Sequence, residues 1–339
     1  MYEQTKNCIN SFLKEGVFPG VSYSFIRNGS IESQTLGFAR LLPEKEKLTT
    51  DHLFDVASLT KVICTTTVIL QLLEEKLIAL DQPLKMYYPV FTDDKITIRH
   101  LLTHTSDIHT YIKNRDSLSQ KELIEAYNNV ESGSKLGKEV KYTDVGTILL
   151  GLMLEHLLKK TAVELFEERV LRPLQMTSSC FLPAASVKTV ATEDHPVRGI
   201  IQGATHDPKA FVLSEHAGNA GLFTNLSDLL SFAEMYLNDG SYNGKTFLKK
   251  ETIQGLLKDY TLAATGERSL GWDLKEGLNG ERFLFHTGYT GTFLLLDILH
   301  KEAFLFLSNR VHPADNRQAY IEKRDELLQI YLEEKARMS

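Results

Sequence analysis

Ser58 and Lys61 stand three residues apart at the mouth of the run VASLTKVICTTTVILQLL, residues 56–73. A helix puts residues i and i+3 on one face. A serine at a helix start sits at the positive end of the dipole, which favours developing negative charge. Lys61 then meets no other charge until Glu74, and an ammonium inside such a run is costly unless something pairs with it. Burial that lowers its pKa would make it an acceptor for a neighbouring hydroxyl proton. The chemistry within reach is nucleophilic attack by Ser58 with Lys61 as its base. The plainer alternative is an N-cap at Ser58 and a lysine that snorkels to water. Two other Ser-x-x-Lys pairs differ in context. Ser11/Lys14 reads as part of an amphipathic surface helix, and Ser132/Lys135 lies in a polar, glycine-containing loop. Only Ser58/Lys61 opens a buried helix.

Tyr142-Thr143-Asp144 follows that polar loop and precedes a long apolar helix. A phenol there can relay a proton if nearby cations lower its pKa. The competing role has Tyr142 packing at the helix start and Asp144 capping it. His286-Thr287-Gly288 ends the run RFLFHTG. On a strand, 286 and 288 face one way and 287 the other, and Gly288 would let a substrate backbone come close. The competing role is an ordinary turn at Gly288 or Gly291.

The elements that must position these residues are legible in outline. Residues 2–15 read as an amphipathic helix ending near Gly16. Asn28-Gly29 between two strand-like runs signals a hairpin. Residues 62–77 are long and apolar enough for a buried helix, and TILLGLMLEHLLKKTAVELFEERVLRPL is helical in pattern. From about residue 270, SLGWDL, RFLFHTG, TFLLLDILH and AFLFLSNR read as consecutive antiparallel strands, followed by a charged helix over 316–336. The fold class is therefore α+β: one antiparallel sheet built from both ends of the chain, flanked by N- and C-terminal helices. A mostly helical domain is inserted. The expected division is 1–56 with 226–339 for the sheet domain and 57–225 for the insertion, leaving a cleft between them.

The 339 residues are 42% hydrophobic and 24% charged, with a net charge of -6. That balance and the lack of a basic stripe argue against a nucleic-acid partner. No stretch reads as a membrane span or signal peptide, so no membrane partner is expected and the expected location is cytoplasmic, or secreted if a leader has been trimmed. Three cysteines without metal-like spacing suit a reducing compartment. His100, His104 and His109 lack the intervening acid of a His-Glu-x-x-His site and read as structural. No Gly-x-Ser-x-Gly occurs, which excludes an α/β-hydrolase. His206-Asp207 reads as a structural loop pair beside the cleft.

Taken together and in this order, the three elements resemble the serine β-lactamase and penicillin-binding-protein superfamily, on its class C and D-Ala-D-Ala carboxypeptidase branch. FDVASLTKV, ITIRHLLTHTSDI, YTDVGTILLGLMLE, RVLRPLQM, AGNAGLFTNLSDLLSFAEMYLNDG, LGWDL and FHTGYTGT all look like segments of that family, over about residues 17–310. The resemblance implies a β-lactamase/transpeptidase-like fold and an acyl-enzyme on Ser58, with Lys61 and Tyr142 activating it and shuttling the proton. It implies an oxyanion hole from the backbone N–H groups of Ser58 and Tyr289. His286, Thr287 and Gly288 would hold the substrate, which is a small amide, an ester or a D-amino-acid peptide, with β-lactams possible. No metal or organic cofactor is called for.

Two positions depart from the family pattern. Asp144 stands where the family has asparagine; it cannot donate to a substrate carbonyl, and pairing with Lys61 would raise the lysine's pKa. His286 replaces a lysine and would make activity titrate near neutral pH. These departures leave a second function open, a penicillin-binding sensor that acylates without turnover.

Overall fold

The computed structural model describes residues 1–338. The first helix, α1 (Glu3–Glu15), buries Thr5, Ile9 and Phe12, which lie on one face at helical spacing. It stops at Gly16, whose φ of 75° lets its N–H return to the Leu13 carbonyl. Strands β1 (Gly20–Arg27) and β2 (Ser30–Arg40) follow. Asn28 and Gly29, at φ 52° and 73°, make the two-residue turn whose twist matches that of the flanking strands. β3 (Glu46–Lys47) closes that edge.

The remaining strands come from the far end of the chain: β4 (Asp273–Glu276), β5 (Arg282–Gly288), β6 (Thr292–Asp297) and β7 (Glu302–Ser308). The sheet order is β4-β5-β6-β7-β1-β2-β3, antiparallel throughout. The β1–β7 register, Val21 opposite Ser308, joins the two ends of the chain. The expected sheet is thus present.

Alternation sorts the side chains of β5–β7 into two cores. Phe293, Leu295, Phe304 and Phe306 pack with Phe25 and Tyr331, under α1 and the C-terminal helix α6 (Arg317–Met338). Phe293 and Phe306 stack at 4.9 Å, and Phe304 tilts against Tyr331 at 4.9 Å. On the other face Leu294, Leu296, Leu305 and Leu307 join the larger core with the middle of the chain. Burying one such side chain is worth about 1.5–3 kcal/mol, so both faces are anchored.

The apolar run after Ser58 is helical as expected but not uniformly so. Lys61–Thr66 forms a π-helical turn before α2 (Thr67–Glu74); such widened turns are rare and gather at functional sites. The long helical pattern divides into α3 (Val145–Leu158) and a short helix over Ala162–Phe166. Lys159 at φ 58° ends the first, and Thr161 with Glu164 forms a capping box that starts the second. The helical middle also holds short strands that were not expected. Phe54–Asp55 and Cys180–Phe181 both pair with Leu222–Thr224. Two further helices matter below: α4 (Pro208–Leu213) and α5 (Leu226–Leu237).

Candidate active site

Ser58 is placed by the short strand before it. The Val56 N–H donates to the Leu222 carbonyl at 3.1 Å. Ala57 then takes φ 46°, a left-handed value uncommon for a residue with a Cβ. It is held there: its N–H donates to the buried Asp55 carboxylate at 2.8 Å, and its carbonyl accepts from Thr60 Oγ1 at 2.7 Å. That kink delivers Ser58 to the start of the helix.

The β5–β6 turn presses on the same backbone. A Cβ on Gly288 would lie 2.3 Å from the Val56 carbonyl oxygen, so only glycine fits. Thr290 Oγ1 donates to the Asp55 carbonyl at 2.6 Å, and Thr292 Oγ1 to the Val56 carbonyl at 3.2 Å. Tyr289 is therefore carried next to the 56–58 segment. No described residue accepts from the backbone N–H of Ser58 or of Tyr289. The Tyr289 carbonyl accepts from Arg310 Nε at 2.9 Å and from Nη2 at 2.5 Å. Its hydroxyl donates to Asp315, and its ring stacks on His206 at 5.5 Å.

Lys61 is 1% exposed. Its Nζ donates to Ser58 Oγ at 2.7 Å, to the Asn219 carbonyl at 3.0 Å and to Asp144 Oδ1 at 2.7 Å. Three partners match the three protons of an ammonium. Burial pushes the Lys61 pKa down, but Tyr142 and Asp144 together more than offset it, and the net shift is upward. The lysine beside the serine is thus a charged donor in the resting site, not a depressed base.

Asp144 does not cap α3; its side chain makes no capping bond, and Val145 N–H donates instead to Thr143 Oγ1 at 3.2 Å. Its second oxygen pairs with Lys209 Nζ at 2.8 Å. Burial alone would raise the Asp144 pKa, but Lys61 and Lys209 pull it well below the usual carboxylate range. Tyr142 is exposed at the loop–helix junction. Lys61 Nζ lies 5.3 Å and the Arg268 guanidinium 5.6 Å from its ring centre. The ring rests on His104 at 4.6 Å and lies 6.1 Å from His286.

His104 pins this loop: its carbonyl accepts from the Lys141 N–H at 2.8 Å and its Nδ1 from the Thr143 N–H at 3.3 Å. His100 is tied into the helix cap at Thr97. His286 is 2% exposed. Its Nδ1 meets the Thr287 carbonyl at 3.0 Å, and its Nε2 is buried without a protein partner. Burial, with Lys61 and Arg268 nearby, drives its pKa well below 6.5. The expectation of a histidine titrating near neutral pH is overturned: burial disfavours the imidazolium, and a third positive charge beside those two cations disfavours it further. Thr287 is half-buried behind it.

So Ser58, Lys61, Tyr142, Asp144 and His286 converge, with Gly288 and Tyr289 on the adjoining turn. Three participants were missed in the sequence. Lys209 and Asn219 lie in HDPKAF and AGNAGLF, and Arg268 precedes LGWDL. None has a local spacing signal in the sequence. Among the described residues no group of three or more His, Cys, Asp or Glu is arranged to hold a metal ion.

Comparison with known proteins identifies the family and the fold. Residues 5–329 match the sequence model of the Beta-lactamase family. The chain belongs to the β-lactamase family. An N-acetylmuramyl-L-alanine amidase of Bacillus subtilis (strain 168) is 26% identical over 346 residues, spanning 87% of this chain and 78% of its own. An Escherichia coli (strain K12) protein, provisionally named a D-alanyl-D-alanine carboxypeptidase, is 26% identical over 80% of this chain and 72% of its own. Among solved structures, a class C β-lactamase superposes with a TM-score of 0.75 at 18% identity, covering 96% of this chain and 95% of that one. EstCE1, a hydrolase with promiscuous acyltransferase activity, gives 0.75 at 18%, covering 96% and 97%. These similarities establish the β-lactamase/transpeptidase fold, and the curated relatives carry hydrolase names. Among the described residues no helix is long and apolar enough to cross a membrane.

Proposed function

We propose that the protein is a serine hydrolase that cleaves a small amide or ester through an acyl-enzyme on Ser58. The observation that carries this reading is the 2.7 Å contact between Ser58 Oγ and the buried Lys61 Nζ, beside two backbone N–H groups that no described residue occupies. Ser58 Oγ bonds to the substrate carbonyl carbon while its proton leaves. The carbonyl oxygen becomes an oxyanion held by the N–H groups of Ser58 and Tyr289. Collapse expels the leaving group, which takes up the proton, and water then attacks the acyl-enzyme with the roles reversed.

The acceptor of the Ser58 proton is set by protonation state. Lys61 as an ammonium has no lone pair, so the site reacts once Tyr142 or Lys61 has given up a proton. Asp144 opposes that step. His286, Thr287 and Gly288 line the position for the rest of the substrate, with His286 acting as a neutral group.

Both Asp144 oxygens are taken by lysines, so residue 144 offers no N–H to an amide-bearing acyl group. The reading is DD-carboxypeptidase-like or esterase-like, with efficient β-lactam hydrolysis disfavoured. The same Lys61–Asp144 pair slows loss of the acyl group, and this favours, as the second reading, a penicillin-binding sensor that is acylated without turnover.

The test is incubation with p-nitrophenyl acetate, p-nitrophenyl butyrate and a fluorescent penicillin, with intact-mass spectra at early and late times, beside Ser58→Ala. Ester turnover lost in Ser58→Ala supports the hydrolase. A lasting penicillin adduct on Ser58 with no turnover supports the sensor. Turnover that survives Ser58→Ala overturns both.

A further inference from the structure

The site holds a charge chain longer than the Ser58 chemistry requires. Lys209, in the first turn of α4, pairs with Asp144 Oδ2 at 2.8 Å and with Asp207 Oδ2 at 3.1 Å. Asp144 Oδ1 pairs with Lys61 at 2.7 Å, and Lys61 donates to Ser58 Oγ. Asp207 is held by the Ala210 N–H and by Asn219 Nδ2, and Asn219 gives its carbonyl to Lys61. Signs therefore alternate along Asp207, Lys209, Asp144 and Lys61 toward the serine. Lys209 is mostly buried, and its two partners more than offset the cost of that burial.

We propose that Lys209 is a positioning residue of the Ser58 reaction, acting through Asp144 so that the Ser58–Lys61–Tyr142 group can release a proton. The proposal rests on the reading of Ser58 as the nucleophile. The physical argument is one of balance. Asp144 next to Lys61 stabilises every protonated form of the site. A cation on its other oxygen opposes that and leaves the four-residue chain neutral. The other groups nearby are Tyr142, with Arg268 over its ring, and the buried His104 and His286, which lie against and near that ring and whose pKa values burial drives well down. None of these is a mobile charge that could stand in for Lys209. Removing Lys209 makes the reacting proton harder to lose whether Lys61 or Tyr142 holds it.

The test is the rate at which an alkyl fluorophosphonate modifies Ser58, followed by intact mass from pH 5 to 10 at equal folded fraction. The wild type is compared with Lys209→Met, Lys209→Arg, Asp144→Asn and the double variant Asp144→Asn/Lys209→Met. Lys209→Met is expected to move the acid limb to higher pH by about one unit, an approximately tenfold loss of rate on that limb. Lys209→Arg restores most of it. Asp144→Asn moves the limb below the wild type, and the double variant returns to within about threefold of it, since one pH unit is tenfold. A limb that stays in place in Lys209→Met while thermal stability falls overturns the proposal and leaves Ser58 standing. So does a double variant as slow as Lys209→Met. Modification that persists in Ser58→Ala removes the nucleophile reading and this proposal with it.

Discussion

Arg310 is the residue on which the proposed oxyanion site would depend without touching substrate. Its side chain is buried, and its guanidinium reaches the Tyr289 carbonyl with Nε at 2.9 Å and Nη2 at 2.5 Å while Nη1 pairs with Asp315. It also lies over the Tyr289 ring at 4.6 Å. Holding the carbonyl fixes the peptide plane on that side, and with it the turn that presents the Tyr289 N–H. Arg310→Met keeps the apolar stem and removes the fork. Hydrogen bonds to a charged group are worth about 1.5–3 kcal/mol, and Asp315 is partly exposed and can rehydrate. A stability loss of about 2–4 kcal/mol follows, within the range for breaking such a pair. Removing an oxyanion donor outright costs about 10²–10³ in kcat. A misaligned donor should cost less, about 10–100-fold. The assay is p-nitrophenyl butyrate hydrolysis at a temperature where melting curves show the variant folded, with kcat and KM separated. The loss is expected in kcat, because the oxyanion forms only in the tetrahedral stages of acylation and deacylation and not in the bound substrate. Arg310→Lys keeps the charge without the fork and should fall between the two. A folded Arg310→Met with kcat within about twofold of wild type, or with the loss confined to KM, would refute the clamp, given that a true donor is worth about 10²-fold or more.

Three further outcomes are expected. His104 and His286 both sit well below their ordinary pKa of 6.5 in the folded protein. The unfolded chain therefore binds more protons below that pH, and stability falls with acidification at about 1.4 kcal/mol per pH unit for each. Urea denaturation at pH 5.5 should show about 2.7 kcal/mol less stability than at pH 7.5 from this pair, with roughly half of the loss absent in His104→Gln; equal stability at the two pH values would contradict the buried neutral imidazoles. For the same reason the rate profile should carry no histidine limb near pH 6.5 from His286, and an inflection there that disappears in His286→Gln would count against the assignment. A Cβ on Gly218 would lie 2.2 Å from the Thr147 carbonyl oxygen, backbone against backbone. Gly218→Ala should cost about 1–3 kcal/mol and slow Ser58 modification by shifting the Asn219 carbonyl away from Lys61, whereas unchanged labelling in a destabilised variant would separate packing from chemistry.

How much of this was legible depends on the range of the interactions. The hairpin at Asn28-Gly29 is a matter of two residues that tolerate positive φ. The strands after residue 270 announce themselves by alternation and turn residues, and β5–β7 form as read. The short strands at Phe54–Asp55 and Leu222–Thr224 carry no period of their own; their pairing is decided by what surrounds them. The π turn at Lys61–Thr66 is likewise invisible in an apolar run that would suit an ordinary helix.

The site divides in the same way. The order of a Ser-x-x-Lys pair, a tyrosine and a histidine-threonine-glycine strand end carried the family resemblance, and it was that resemblance, with the flanking segments, that grouped them into one proposed chemistry. Only the tertiary structure decided their protonation. Burial pushes the Lys61 pKa down, but Tyr142 and Asp144, brought to it from a distant part of the chain, more than offset that and favour the ammonium. The His286 pKa is driven well down first by burial and then by the nearby charges of Lys61 and Arg268. The pairing of Asp144 with Lys61 was legible in the sequence, but its second lysine, Lys209, was not. Charge states in a low-dielectric cleft depend on distances between elements, and those distances are set by packing, which no local spacing of residues encodes.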